Sequence, residues 1–415
     1  MSKEELSRHH FIKMAVEGDM TVAQAAQRLK LSVRRIQQLK KAFRTHGASA
    51  MIHGNARKPS PRRTDPALVQ EILQLRKDKT LSQSNFTHFR ELLQSLYNIS
   101  VSLSTLRRIL VSHGFQSPKT RRSKHVVHKT RERKPAFGIM LQADASPFDW
   151  LSDGSQLSLH GFIDDATGRV TGLYLCRNEC LLGYLEATRL TLTEHGIPQS
   201  MYSDRSSIFF VNPKNEGDLS VEEQLAGEQL RLTQFGRIME RLGIEMIKAY
   251  SPQAKGRVER LWNTLQSRLP VEFALHDIRT IQQANDFLPA YILMFNKQFA
   301  VDPAESYSAF VPVPHTEDLD RLLCAVIERK LSAGSTISIK NKRFIIEQNK
   351  FGNGTPVTLL LSEKHGLRAL IRGQFYPIHP IDPITHVSDV VRTGDLPWVV
   401  IDLIQQFLLR DGKVA

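Results

Sequence analysis

The sequence predicts a multidomain chain: an all-α N-terminal third made of helix-turn-helix modules, a central α/β domain, and a small all-β barrel towards the C-terminus. Three observations carry this. Charge is split along the 415 residues: positions 1–136 hold 28 Lys+Arg and 9 Asp+Glu, net +19, whereas 137–415 hold 28 and 33, net −5. In the first third, apolar residues recur at helical spacing between Ser, Thr and Gly punctuation. From Phe137 short apolar runs alternate with helical ones, and from Thr336 they give way to alternating runs separated by Gly and Asn.

The formal charge of +14 and a hydrophobic fraction of 41% exclude global disorder and suggest a polyanionic partner. No apolar run approaches the ~20 residues of a membrane span. The opening MSKEELSRHHFIKM has no apolar leader, so a cytoplasmic, nucleoid-associated protein with no membrane partner is expected. Cys176, Cys180 and Cys324 are too few for a disulfide framework, which fits a reducing compartment.

Glu4–Glu17 is amphipathic and ends at Gly18-Asp19. Thr21 can cap a short helix carrying Val22, Ala25, Ala26 and Leu29, and Ser32 a third in which Ile36, Leu39 and Phe43 recur. With those three inward, Arg34, Arg35, Gln38 and Lys41 face out, as a recognition helix presents side chains to phosphates and base edges of DNA. The alternative is a three-helix bundle with a solvated basic face. Residues 1–54 form this domain and 55–64 a proline-rich basic linker. Residues 65–117 form a second helical, helix-turn-helix-like DNA-binding domain: Asp65-Pro66 opens a helix to about Arg76, Phe86–Tyr97 follows, and a last helix carries basic Arg107 and Arg108. Residues 118–136 are a basic tether; its His125 and His128 have no cysteine pair nearby and are not read as zinc ligands.

In the central domain the candidate strands are Gly138–Asp144, Ser158–Asp165, Arg169–Cys176, Met201–Asp204 and Ile244–Ala249, with a helix over Tyr184–His195. A further helix begins at Ser251-Pro252 and carries Glu259. A single acid at a strand end is ordinarily a turn residue. Asp144, Asp204 and Glu259 end or occupy different elements of one domain, and carboxylates meeting at such a rim suit hard divalent cations.

These residues carry a family resemblance. Gln142-Ala143-Asp144, Phe162-Ile163-Asp164-Asp165-Ala166-Thr167-Gly168-Arg169, Tyr202-Ser203-Asp204-Arg205, and Ser251 through Arg260 (SPQAKGRVER) resemble, in order, the blocks of the retroviral-integrase-like transposase core. The match is nearest to bacterial insertion-sequence transposases of the DDE type, the ISNCY-like group, and covers about Phe137 to Phe299. It implies a ribonuclease H-like catalytic core over 137–300, in which Asp144, Asp204 and Glu259 are the catalytic residues and hold two Mg²⁺ (or Mn²⁺). It further implies binding to element ends, hydrolysis at the 3′ ends, joining to target DNA, and a homo-oligomer in the synaptic complex. Lys255, Arg257 and Arg260 would meet DNA phosphates beside Glu259.

Two features depart from the compact pattern. Asp204 and Glu259 are 55 residues apart, with the excess falling in 208–232, a polar stretch holding five acids. Asp149 also rivals Asp144, which is preferred because it ends the apolar strand whereas Asp149 lies beyond Pro147. Asp164 and Asp165 are assigned to turn and supporting roles. Residues 301–334 are expected as a helical connector, 335–382 as the barrel and 383–415 as a tail helix over Pro397–Leu409. The function expected is therefore a transposase; the alternatives are a DNA-binding regulator that has lost its chemistry and a nuclease of the same fold that only hydrolyses.

Overall fold

A computed structural model describes residues 3–52, 63–118, 132–211, 232–249, 256–314, 318–340, 342–347, 351–381 and 398–409. Two compact units divide the chain at Gln74 and Leu75. Residues 55–62 of the proposed linker, 119–131 of the basic tether, and Ser251–Lys255, where the Glu259 helix was expected to begin, lie outside the described residues.

The first unit contains α1 (Lys3–Glu17), α2 (Val22–Leu29) and α3 (Val33–His46). Thr21 and Gln24 form the reciprocal capping box: the Gln24 N–H donates to Thr21 Oγ1 at 3.2 Å, and the Thr21 N–H to Gln24 Oε1 at 3.0 Å. Lys30 takes the left-handed conformation (φ 53°) that closes α2, and Ser32 accepts from the Arg35 N–H at 3.2 Å to open α3. Ile12, Ala15, Ala25, Ala26, Ile36, Leu39 and Met51 form the core. This is the expected helix-turn-helix, with the basic side of α3 in solvent. A fourth helix, α4 (Pro66–Arg76), starts at Asp65, which accepts from the Ala67 N–H at 2.9 Å, and runs across the division.

The second unit begins with a helical module. Asn85 caps α5 (Phe86–Tyr97) through the Thr87 and His88 N–H groups, and Ser102 caps α6 (Leu103–Ser112) through the Thr105 N–H. Arg76 is buried beneath it, donating to the Leu81 and Ser84 carbonyls at 2.7 and 2.9 Å with its guanidinium over Phe86 and Phe89.

The central domain is ribonuclease H-like. Strands β1 (Met140–Phe148), β2 (Leu157–Asp164) and β3 (Val170–Cys176) form an antiparallel meander; α7 (Leu181–Glu194) crosses to β4 (Ser200–Ser203), and α8 (Gln234–Arg241) to β5 (Glu245–Lys248). The sheet order is β3-β2-β1-β4-β5, with β4 parallel to β1 and β5 parallel to β4. Then come α9 (Gly256–Leu265), α10 (Leu269–Leu275) and α11 (Ile281–Phe299). Two cores result, one per sheet face: Leu141, Phe162, Tyr184 and Phe235 in one, Leu159, Leu173, Val258 and Trp262 in the other.

The edge strand β3 is closed by α11. Asn285 accepts from the Leu175 N–H at 2.7 Å and donates to its carbonyl at 3.0 Å, and Asn296 does the same at Val170, at 2.8 Å each way. Eleven helical residues and five strand residues both advance about 16.5 Å, so one helix can satisfy both ends of the strand.

The connector differs from the expectation. Residues 301–311 are non-helical, with a bend over 304–307: the Ala309 N–H donates to the Phe137 carbonyl at 2.7 Å, and Val311 and Ile197 exchange bonds at 2.9 and 2.7 Å. Among its described residues the α-helix is α12 (Leu319–Leu322), a short 3-10 turn begins at Ala333, and β6 (Ala325–Lys330) is a strand. Pro303, Pro312 and Pro314 prevent a continuous helix. The run Cys324-Ala325-Val326-Ile327 is short, apolar and buried on both faces, which periodicity alone does not distinguish from a helix.

With β6, the C-terminal strands β7 (Thr336–Ile339), β8 (Lys342–Ile346), β9 (Pro356–Ser362), β10 (Gly366–Ile371), β11 (Gln374–Tyr376) and β12 (Ile378–Pro380) form antiparallel sheets ordered β11-β10-β9-β6 and β12-β8-β7. The tail helix α13 (Trp398–Phe407) buries Val399, Val400, Leu403 and Ile404. Asp402 pairs with Lys342, and the Leu408 carbonyl accepts from the Leu182 N–H at 3.0 Å. The tail thus joins barrel to core.

Polar side-chain pairs fasten the α5–α6 module to the core. Arg268 grips Glu91 with both terminal nitrogens at 2.5 and 3.1 Å, and His88 Nε2 lies 2.7 Å from Glu272. Burial pushes the Glu91 carboxyl up, but the Arg268 bonds outweigh it and hold it below its ordinary value. A depressed carboxylate stabilises the fold above its unfolded pKa of about 4.3, and that stability is lost as pH falls through the folded value. Arg268→Ala is expected to cost about 3 kcal/mol at pH 7, with the gap from wild type narrowing below about pH 4. Urea unfolding at several pH values checks this; a pH-independent gap would assign the cost to packing.

Candidate active site

The site is organised by the contact between α9 and β1. Side chains alternate along a strand, so Gln142, Asp144 and Ser146 share one face. Gln142 Oε1 accepts from the Val258 N–H at 3.3 Å, Asp144 Oδ2 from Trp262 Nε1 at 2.9 Å, and Ser146 Oγ from Gln266 Nε2 at 3.0 Å. The partners are spaced two residues on the strand and four on the helix. Those steps advance about 6.6 and 6.0 Å, so the helix runs along the strand in register. Trp262 also lies over Gly161, the residue opposite Asp144 on β2. A Cβ at Gly161 would stand 2.8 Å from the Trp262 ring and 2.7 Å from Leu173.

Asp204 follows β4 directly. Met140 pairs with Ser200, Leu141 with Met201 and Gln142 with Tyr202. Asp204 thus lies two residues beyond Tyr202, as Asp144 lies two beyond its partner Gln142, which puts the two acids towards the same end of neighbouring parallel segments. Both carboxylates are half-buried, and Asp204 Oδ1 accepts from the Ser206 N–H at 3.0 Å, which turns the chain away after the strand. Glu259 is exposed in the first turn of α9, one residue after Val258 and three before Trp262. The donor set is all oxygen and anionic, the chemistry that hard divalent ions select. Among the described residues no three His, Cys, Asp or Glu side chains stand close enough to grip one ion.

The other acids have separate work. Asp164 is fully buried and accepts from the Gly138 N–H, the Thr167 N–H and the Thr167 hydroxyl; burial pushes its carboxyl up. Asp165 accepts from the Lys134 N–H and Gln142 Nε2 and pairs with Arg257. The turn and supporting roles foreseen for these two are what they perform. Asp149 closes a turn, accepting from the Asp153 and Gly154 N–H groups. Contrary to the expectation that Asp144 ends its strand, β1 continues through Pro147, which pairs with Ser158.

Of the basic residues, Arg34, Arg35, Gln38 and Lys41 are exposed along α3, with Arg35 Nη1 donating to Gln38 Oε1 at 3.2 Å; Arg107 and Arg108 are exposed on α6. Arg260 is exposed and lines a small groove of about 140 Å³ with Arg133 and Phe299. Lys255 lies outside the described residues. Arg257 turns inward: it is 8% exposed and pairs with Asp165 at 3.3 Å, so it is not presented to a DNA backbone.

One acid escaped the sequence reading. Burial pushes the Glu179 carboxyl up, with Asp204 and Asp144 both adding to the shift, and the Tyr184 hydroxyl donates to it at 2.8 Å. It therefore stands within electrostatic reach of both carboxylates. Glu179 sits in a loop before α7 with no strand end or helix pattern to mark it. Trp262 and Gln142 were legible in principle, at i+3 from Glu259 and i−2 from Asp144.

The chain thus combines a helix-turn-helix unit with a ribonuclease H-like α/β core, the layout of transposases. Residues 8–70 match the Winged helix-turn helix family. The chain is 34% identical over 85% of its length to "Putative transposase y4bF" of Sinorhizobium fredii, covering 75% of that protein, and 33% identical over 83% of its length to the transposase for insertion sequence IS1202 of Streptococcus pneumoniae, covering 79% of it. The chain belongs to the insertion-sequence transposases. Among solved structures it is similar to the HTLV-2 integrase catalytic core domain in complex with magnesium, at 16% identity and a TM-score of 0.26 over 37% of this chain and 84% of that one. That likeness is too distant to add to the strand order.

Gly161→Ala is expected to destabilise the core by about 2 kcal/mol, because a methyl there must displace Trp262 or Leu173 in a packed interior. Thermal unfolding checks it; an unchanged midpoint would mean that the indole is not held against β2.

Proposed function

We propose that this chain is an active DNA transposase that binds the ends of its element, hydrolyses the 3′ ends and joins them to target DNA. The observation that supports this reading is Asp144 on β1 with Asp204 directly after β4, the strand that pairs with β1 in parallel, and the Glu259 helix bonded directly to Asp144. Asp144, Asp204 and Glu259 would hold two Mg²⁺ or Mn²⁺ ions. Bound there, such ions supply Lewis acidity to the attacking and leaving oxygens of a phosphodiester, so no covalent link to protein is needed.

The protein's own part is placement. The α9–β1 bonds hold the Asp144 oxygens in one orientation, and the Asp204 turn does the same for its neighbour. The exposed Arg260 offers a cation to a phosphate on the same helix as Glu259. Arg34, Arg35, Gln38 and Lys41 on α3 read the element end, with Arg107 and Arg108 on α6 as a second contact. In the first step water attacks the phosphorus and a 3′-hydroxyl leaves; in the second that hydroxyl attacks the target phosphorus and a target 3′-oxygen leaves. Both are one-for-one displacements, so one site serves both. Joining two ends to one target calls for a homo-oligomer around the DNA.

Strand-transfer assays on end-containing DNA with Mn²⁺ test this. Asp144→Asn, Asp204→Asn and Glu259→Gln should each lower cutting and joining at least about 10³-fold, the scale expected when a group that stabilises the transition state is lost. Wild-type rates in all three would remove the site assignment. Cutting without joining would leave a hydrolytic nuclease, and DNA binding with neither a regulator. Separately, reversing the charges of Arg34, Arg35 and Lys41 should abolish end binding in gel-shift experiments while Mn²⁺ binding to the core persists. End binding at wild-type strength would exclude α3 as the recognition helix.

A further inference from the structure

We infer that Asp165, acting through Arg257 and Gln142, is a positioning residue for the Glu259 carboxylate. The inference rests on the reading of Asp144, Asp204 and Glu259 as the metal-holding acids. Asp165 and Gln142 are fully buried and Arg257 nearly so. Asp165 Oδ1 accepts from Gln142 Nε2 at 2.8 Å and lies 3.3 Å from Arg257 Nη1; Asp165 Oδ2 accepts from the Lys134 N–H at 2.9 Å. The other end of the Gln142 amide accepts the Val258 N–H at 3.3 Å. One carboxylate thus holds two consecutive residues of α9, Arg257 by its side chain and Val258 through Gln142.

Glu259 is the next residue. It lies near the start of the described part of α9, so contacts made by Arg257 and Val258 bear directly on where its backbone sits. The bonds at Arg257 and Val258 precede it, and the Trp262 bond to Asp144 follows it by three residues. Fixing the helix on both sides of Glu259 sets its rotation and its advance along β1, and so the backbone position from which the carboxylate extends. A buried ion pair is a weak source of stability, because desolvating both charges offsets their attraction. Specifying a position is the role such a pair performs better than apolar packing would.

The same carboxylate receives the chain arriving from the N-terminal side. Besides the Lys134 N–H, Arg133 Nη1 donates to the Ala166 carbonyl at 2.7 Å. The incoming segment and the first turn of α9 are therefore anchored on one turn, Asp164–Gly168.

Asp165→Asn, Arg257→Lys and Arg257→Met are compared with wild type in the full-length protein, by Mn²⁺ titration followed by electron paramagnetic resonance and by thermal unfolding. Disturbing groups that orient a metal ligand costs about 10–100-fold in affinity. Asp165→Asn and Arg257→Met should stay folded and lose at least about tenfold in Mn²⁺ affinity, with Arg257→Lys closer to wild type; raising Mn²⁺ should restore cutting. Folded variants with affinity within twofold of wild type overturn the proposal. Loss of folding in both Asp165→Asn and Arg257→Lys overturns it too, reassigning the cluster to stability. Asp144→Asn in parallel separates the two ideas: if it binds Mn²⁺ normally the metal-site reading falls, and if it alone loses Mn²⁺ only the positioning role falls.

Discussion

Everything at the rim of the sheet depends on α9 lying along β1 in register. Three alternate strand residues, Gln142, Asp144 and Ser146, meet three helix positions one turn apart. The near-equality of two strand steps and one helical turn makes this possible. A polar ladder over an otherwise apolar contact fixes more than proximity, because dispersion and hydrophobic burial tolerate sliding whereas a hydrogen bond does not. Gly161 completes it: lacking a side chain, it gives the Trp262 indole room to lie over β2 and reach Asp144.

The remaining parts attach to this frame. α11 closes the sheet edge with Asn285 and Asn296, the pair Arg268–Glu91 ties the α5–α6 module to the residues just beyond α9, and the tail helix α13 binds barrel to core. Each joint is polar where an orientation must be set and apolar where only adhesion is required. On the far side of Asp144 and Asp204, Glu179 is held by Tyr184, whose ring packs against His160 and Phe209. Phe209 belongs to the turn that Asp204 begins, so that turn and Glu179 share one aromatic support.

Much of the fold is legible in the sequence because local chemistry and tertiary structure agree. Thr21, Ser32 and Asp65 cap the helices they were expected to cap, and β2, β3, β4 and β5 lie within a residue or two of the runs that suggested them. Legibility fails where the deciding partner is distant in sequence. Arg257 has the pattern of a DNA contact until Asp165, 92 positions earlier, draws it inward. β6 is ambiguous until β9 pairs with it, and Pro147 suggests a strand end until Ser158 lies opposite. Asp144 does not end its strand, and what distinguishes it from Asp149 is its bond to Trp262 on α9, where Asp149 closes a turn.

The central claim is that Asp144 and Asp204 form one cation site completed from α9. A crystal of this protein grown with Mn²⁺ and measured at the manganese absorption edge tests it most directly. The account predicts anomalous density between the two carboxylates at contact distances of about 2.1–2.2 Å, the range for a small octahedral divalent ion, with Glu259 as a further ligand. Manganese bound elsewhere, with Asp144 and Asp204 each more than a water molecule away from it, would contradict it.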